Sequence, residues 1–258
     1  MESAEYHHHL ALLEWQIELG VVESIGDTPV NRYDVPAVVD KPKAPQATPP
    51  VAGVVAPVAF DAVAEAERAA AGAATLEDLR AAMAAFEHCD LKKGARNLVF
   101  SDGIPGAPVM LIGEAPGRDE DRAGKPFVGR AGQLLDKMLA AIDMGRTRSD
   151  APVYITNVLP WRPPQNRDPK PDEINMMKPF LLRHIALAKP QVLVIVGNWS
   201  CQALLGKRGI TRLRGEWTQA AGLPALPMFH PAYLLRSPEF KREAWTDLLA
   251  LRARLSGG

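Results

Sequence analysis

The stretch PVMLIGEAPGRDEDRAGKPFVGRAGQLLDKMLAAI, residues 108–142, decides the fold. It opens on PVMLIG, a short apolar run without polar alternation, the pattern of a strand buried on both faces. It closes on GQLLDKMLAAI, where Leu134, Leu135, Met138, Leu139 and Ile142 share one helical stripe. Strand, glycine-rich loop and helix make the unit of an α/β sheet, and the chain repeats the alternation. VYITNV (153–158), VLVIVG (192–197) and LPMFH (226–230) are further strand runs. Between them, DEINMMKPFLLRHIALA reads as a helix opened by Pro171 and broken or restarted at Pro179. WSCQALLG reads as a short helix stopped by Gly206, and EFKREAWTDLLALRARL as a closing one. The expectation is a three-layer α/β/α sandwich around a central, mainly parallel, four-stranded sheet.

Upstream, residues 61–72 and 75–87 have helical character, the second with Thr75 as N-cap and Glu77 and Asp78 in its first turn. Residues 5–20 read as an amphipathic helix with Leu10, Leu13 and Ile17 on one face and Gly20 as its stop. The run His7–His9 belongs on a solvated face of that helix rather than on a metal. Residues 35–59 are rich in Pro, Ala and Val, the composition of an extended linker. The expected organisation is an acidic helical segment over 1–34, a linker over 35–60 and a folded domain over 61–258.

Charge divides the chain in the same way. Residues 1–90 carry 5 bases against 15 acids, and residues 91–258 carry 25 against 15, so a net charge of zero hides a basic folded half suited to a polyanion. No run of about 18 apolar residues exists, which argues against a membrane span. The first residues include glutamates rather than the basic start of a signal peptide, so a cytoplasmic protein is expected. Two cysteines, Cys89 and Cys201, cannot build a disulfide framework or a four-thiolate metal site.

In parallel sheets ligands gather beyond the carboxyl ends of the strands, so the residues after each run carry the chemical reading. The first run leads into a loop whose glycine spacing matches neither a P-loop nor a dinucleotide fingerprint. That loop holds Glu114 at the strand's mouth and Phe127 between glycines and prolines, where a ring either plugs the loop onto the domain or stacks on a flat ligand. Asn157 ends the second run; its amide carries one acceptor and two donors and suits a base edge with an N–H beside a carbonyl. The third run ends in Gly197–Asn198, to which the sequence assigns no role. The fourth ends at His230, followed by Leu234, Leu235 and Arg236, an apolar and then basic tip. A lone histidine there serves structure as readily as chemistry; beside Glu114, Asn157 and Phe127 on one sheet edge it reads as functional.

Taken in order, GEAPGRDEDRAGKPFVGRAGQLLDKML, VYITNV with RPPQNRDPKPDEI, ITRLRGEW, and FHPAYLLR with KREAWTDL resemble the family 4 uracil-DNA glycosylases over roughly residues 88–254. The resemblance implies hydrolysis of the bond between uracil and deoxyribose in DNA, with the nucleotide flipped into a pocket, an abasic site left behind and free uracil released. It implies that Phe127 stacks on uracil, that Asn157 reads N3–H and O4, and that His230 donates to O2 as the base departs. Where a related family carries an aspartate this chain has Ala115, which leaves Glu114 to position water. Glu120 either faces C5 of uracil, excluding a methyl group, or serves as a helix cap or ion pair with Arg118 or Arg122. Leu234 and Leu235 take the part of wedges, with Arg236, Gly129, Arg130, Gln133 and Arg162 along the DNA.

The family also holds a [4Fe–4S] cluster on four cysteines, whose places here read Cys89, Lys92, Trp161 and Met177. One thiolate cannot hold a cubane, so no cluster and no other cofactor is expected, and Trp161 and Met177 should fill the volume by packing. The expected protein is a monomer with a possible protein partner at residues 1–60. An alternative keeps the pocket without ordinary turnover, as a uracil-DNA-binding or cross-linking relative; the compact turn PWRPPQNRDP, which lacks histidine, argues against cross-linking.

Overall fold

The computed structural model describes residues 61–257 together with Tyr6, His9, Leu10 and Leu12. Those four residues are helical and exposed. The rest of the helix expected over 5–20, including His7, His8 and Gly20, and the whole expected linker over 35–60 lie outside the described residues.

Six strands form one sheet: β1 (Asp102–Gly103), β2 (Val109–Gly113), β3 (Val153–Asn157), β4 (Val192–Val196), β5 (Thr218–Ala220) and β6 (Leu223–Met228), in the order β1-β3-β2-β4-β6-β5. The four expected strands make the parallel centre, where every residue of β2, β3 and β4 is buried. Two antiparallel edge strands bring the expected four to six, β1 on β3 and β5 on β6. At two and three residues they are too short to show a period in the sequence. β6 begins and ends earlier than its apolar run, which leaves Phe229 and His230 beyond the strand.

The helices cover both faces. Met110, Ile112, Tyr154, Leu193 and Ile195 point to one side, where α1 (Ala62–Gly72), α2 (Leu76–Ala85) and α6 (Pro171–Ala188) pack on them, α3 (Leu91–Gly94) lying nearby in the same core. Val109, Leu111, Val153, Ile155, Val192 and Val194 point to the other, against Leu135 and Leu139 of α5 (Arg130–Ala140), which follows α4 (Arg118–Ala123). Successive strand residues thus alternate between two cores, which makes the three layers. Thr75 caps α2 as expected, its hydroxyl accepting from Asp78 N–H at 3.0 Å while Asp78 accepts in return from Thr75 N–H at 3.0 Å.

Pro179 neither breaks nor restarts its helix: α6 runs unbroken through it for 18 residues. The proline forfeits one backbone bond. Met177, Phe180, Leu181, His184 and Ile185 are all buried on the same helix, and each large apolar side chain contributes about 1.5–3 kcal/mol. That burial outweighs the local loss. After β4 come α7 (Asn198–Leu205) and α8 (Ile210–Leu213); after β6 come α9 (Pro231–Arg236) and α10 (Lys241–Leu255), whose Leu248 and Leu251 complete the second core.

Candidate active site

Register aligns the strand ends: Gly113 lies opposite Asn157, and Val196 opposite Met228. From β2 the chain goes to β3 on one side and then crosses to β4 on the other, so a crevice opens at the carboxyl end between β2 and β4. There Glu114, Ala115, Glu120, Phe127, Asn157, His230 and Arg236 line one cavity of about 610 Å³. That volume suits a small-molecule or nucleotide fragment.

Glu114 leaves β2 directly into the crevice. Its Oε1 accepts the Trp199 N–H at 3.0 Å, at the start of α7. Burial pushes its carboxyl above the usual range, backed by the charge of Asp168 and opposed by the Trp199 and Asn198 N–H groups and by Arg208. Gly197 makes the fit possible. Its φ is +97°, and a Cβ there would lie 2.3 Å from Glu114 Oε1. Only glycine offers both that backbone and that space. The sequence flagged Gly197 as a strand end and could not see that it clears room for a carboxylate from another strand.

Asn157 is 6% exposed, and among the described residues no protein group hydrogen-bonds its side chain. A buried amide on a cavity wall can pair with a ligand there. Phe127 is buried, with φ +54°, a costly conformation for an aromatic residue. Its ring stacks on that of His230, centroids 5.4 Å apart at 29°. The strain is held from outside the loop: Arg146 donates to Phe127 O at 2.9 Å and Pro126 O at 3.0 Å while paired with Asp102 at 3.0 Å and Asp136 at 2.9 Å. Gly132 also leaves space that a Cβ would take, 1.7 Å from Phe127 O. Arg146 carried no signal in the sequence, because its partners are distant in the chain.

His230 caps α9: its Nδ1 accepts the Ala232 N–H at 3.1 Å. Burial, with Arg236 nearby, lowers its pKa to about 4. An unprotonated Nδ1 on a neutral ring leaves the proton on Nε2.

Glu120 lines the cavity, but its carboxylate is already occupied. Oε1 accepts from Val128 N–H at 3.0 Å and Gly129 N–H at 2.8 Å, and Oε2 from Gly117 N–H at 3.1 Å. Of the two expected roles this favours the cap, with backbone partners in place of Arg118 or Arg122. Gly129 is likewise occupied as the N-cap of α5. Leu234 requires a correction: at 1% exposed it belongs to the core, because its turn of α9 faces inward. Leu235 is 37% exposed, and Arg236 is exposed. Arg130 and Gln133 are exposed on α5, and Arg162 donates to Asn166 Oδ1 at 2.7 Å; none of the three lines the cavity.

The four places of the family's iron–sulfur cysteines do not fit a cluster. Cys89, Trp161 and Met177 are each at most 2% exposed within one apolar core. Lys92 turns outward to Glu87 and to Ala84 O. Burial pushes the Cys89 thiol up, away from the thiolate that a metal needs. Cys201 is buried in α7, its thiol pushed up to about 12.

Residues 100–249 match the family model described as the uracil DNA glycosylase superfamily. The chain is 39% identical over 184 residues to the type-4 uracil-DNA glycosylase of Archaeoglobus fulgidus, covering 67% of this chain and 89% of that protein. It is 40% identical over 167 residues to that of Thermotoga maritima (62% and 84%) and 36% identical over 187 residues to that of Sulfurisphaera tokodaii (69% and 84%).

Proposed function

The chain belongs to the uracil-DNA glycosylase superfamily and acts as a uracil-DNA glycosylase, and from there we propose how its residues share the chemistry. The nucleotide leaves the stack and its base enters between Phe127 and the strand ends. Asn157 accepts from uracil N3–H and donates to O4. Cytosine offers the reverse pattern, and each buried group left unpaired costs about 1–3 kcal/mol. His230, neutral and protonated on Nε2, donates to O2. As C1′–N1 breaks, the bonding electrons pass to the base and negative charge grows on O2; a preorganised donor there is worth about 3 kcal/mol. The sugar turns oxocarbenium-like. Ionised Glu114 stabilises that cation and orients the water whose oxygen bonds to C1′, the water's proton passing to the carboxylate or solvent. Leu235 fills the vacated stack, while Arg236, Arg130, Gln133 and Arg162 face the backbone and Gly129 holds the loop beside it. Glu120 acts by fixing the loop of Phe127.

The observation that carries this reading is the meeting of Glu114, Asn157, Phe127 and His230 on one cavity wall. The enzyme works without an iron–sulfur cluster. Support comes from the apolar packing of Trp161 and Met177 around the single thiol Cys89. Among the described residues no helix is long and apolar enough to cross a membrane, and a monomeric cytoplasmic enzyme fits two buried free cysteines.

The test is incubation with a uracil-containing single strand followed by alkali. Cleavage at the uracil position is expected; intact DNA refutes turnover, and an alkali-stable covalent adduct assigns the chain to the cross-linking kind. Purified protein should lack stoichiometric iron and the broad absorbance at about 400 nm of such clusters. Finding both refutes the cluster-free reading.

A further inference from the structure

The lining of the cavity also includes two side chains that this mechanism leaves unused, Trp199 and Arg208. The Arg208 guanidinium carbon lies 3.9 Å from the centroid of the Trp199 ring. A cation stacked this way rests one face on the ring while its N–H donors remain in the guanidinium plane. Arg146, Arg167 and Arg214 give theirs to carboxylates; among the described residues, no hydrogen bond or ion pair takes those of Arg208.

Its loop is pinned. Asn198 Oδ1 accepts the Gly209 N–H at 3.0 Å and the Ile210 N–H at 2.9 Å, and Gly209 holds φ +104°. The third strand end therefore has two roles. One side of α7 seats Glu114, while Asn198 fixes the loop that carries Arg208 over the cavity. Lys207 and Arg212 flank it in the chain and are exposed outside the cavity, so this loop carries a local excess of positive charge that favours an anion. The charge of Arg208 also reaches Glu114 and opposes the rise of its carboxyl, so the guanidinium lies within electrostatic range of the sugar side of the site.

Resting on the glycosylase reading, we propose that Trp199 and Arg208 form a phosphodiester subsite in this cavity. Arg208 grips one backbone phosphate beside the extruded nucleotide, and Trp199 is the positioning residue that holds the guanidinium in place. Planar N–H donors match phosphate oxygens in pairs, and the stacked ring removes the freedom that a surface arginine otherwise loses on binding.

The test measures binding of the full chain to single strands carrying a 2′-fluoro deoxyuridine that resists cleavage. A neutral methylphosphonate replaces one phosphate at a time on either side of it. The wild type is expected to lose about tenfold in affinity at one linkage. Arg208→Ala should bind the unmodified strand about tenfold more weakly, show no dip at that linkage, and have a log Kd–log salt slope smaller by about 0.7. Arg208→Lys should restore the slope and only part of the affinity. Trp199→Leu, which keeps the backbone N–H on Glu114, should weaken binding severalfold alone and have no further effect beside Arg208→Ala. A dip at the same linkage in Arg208→Ala, or additive losses in the double variant, overturns the subsite. Excision by the wild type is scored separately on ordinary uracil strands. Absence of abasic product refutes the glycosylase reading, while the phosphate profile on the uncleaved analogue still decides this one.

Discussion

Gly197→Ala should disable the enzyme by displacing Glu114 rather than by removing a side chain. The added Cβ would lie 2.3 Å from Glu114 Oε1, 2.8 Å from Cδ and 3.2 Å from Cγ, where ordinary contact begins near 3.4 Å. The carboxylate must retreat by about 1 Å, which takes it out of reach of the Trp199 N–H it now meets at 3.0 Å. Misplacement by about 1 Å at a reacting centre costs on the order of 100-fold in rate. Alanine at φ +97° adds backbone strain of about 1–3 kcal/mol, read as a lowered Tm. Loss of the N–H bonds also removes what holds the Glu114 pKa down against burial, so the acid limb of the rate profile should move to higher pH. The decisive measurement is single-turnover excision in a double-mutant cycle with Glu114→Gln. If Gly197 acts through Glu114, alanine at 197 slows the wild type and leaves Glu114→Gln almost unchanged. A folded Gly197→Ala enzyme with wild-type turnover, or one that loses equally in both backgrounds, refutes the cradle.

Asn157→Asp keeps the acceptor for N3–H but turns the donor to O4 into an acceptor, leaving O4 and the facing carboxylate oxygen both unpaired at about 1–3 kcal/mol each, so uracil excision should fall by about 100-fold; unchanged single-turnover rates remove Asn157 from the base edge. His230→Ala should slow base release by about 100-fold or more, and since His230 stays neutral down to about pH 4, the wild-type acid limb should survive in the variant as the titration of Glu114. Leu235→Ala should reduce excision from duplex more than from single strands, while Leu234→Ala, at a buried position, should lower Tm by opening a cavity; a duplex-specific defect in Leu234→Ala alone would reverse the assignment. Glu114→Gln should raise stability at neutral pH. A carboxyl raised in the folded state binds protons more tightly than in the unfolded chain, so its contribution weakens as pH climbs from the ordinary carboxylate value through the raised one, and the amide removes that loss. Equal Tm for both proteins across that window would count against the desolvated Glu114.

What the sequence disclosed and what it hid divide along a physical line. The parallel centre was legible because a strand buried on both faces leaves an uninterrupted apolar run, and Glu114, Asn157 and His230 could be placed because each lies at or just past the end of such a run. β1 and β5 were hidden because two or three residues carry no period, and their pairing is decided by the strand already beside them. Pro179 misled because local propensity has no access to the buried face that carries α6 through it. Leu234 and Leu235 are neighbours of the same type, and only the angle of α9 on the core tells the buried one from the exposed one. Arg146, Gly197 and Trp199 escaped for a shared reason: each acts on a residue from a different strand end, a relation created by the register and not by the chain order.

That last group shows how contacts between distant parts of the chain hold the site. Two of the chemical side chains are fixed by groups from elsewhere in the fold, Glu114 by the first turn of α7 and Phe127 by Arg146 and the space at Gly132, and the loop between them is held by the three backbone bonds of Glu120. The same enclosure acts on both titrating groups in the direction of neutrality, raising Glu114 and lowering His230. For His230 neutrality is the working state, because an uncharged donor meets an oxygen that becomes anionic only as the bond breaks. For Glu114 it is an opposing force, since the departing base leaves a cationic sugar that needs a carboxylate. The Trp199 and Asn198 N–H groups, aided by Arg208, favour the ionised form there. Gly197, at φ +97°, thus gives room to the one charge that the cavity otherwise tends to remove.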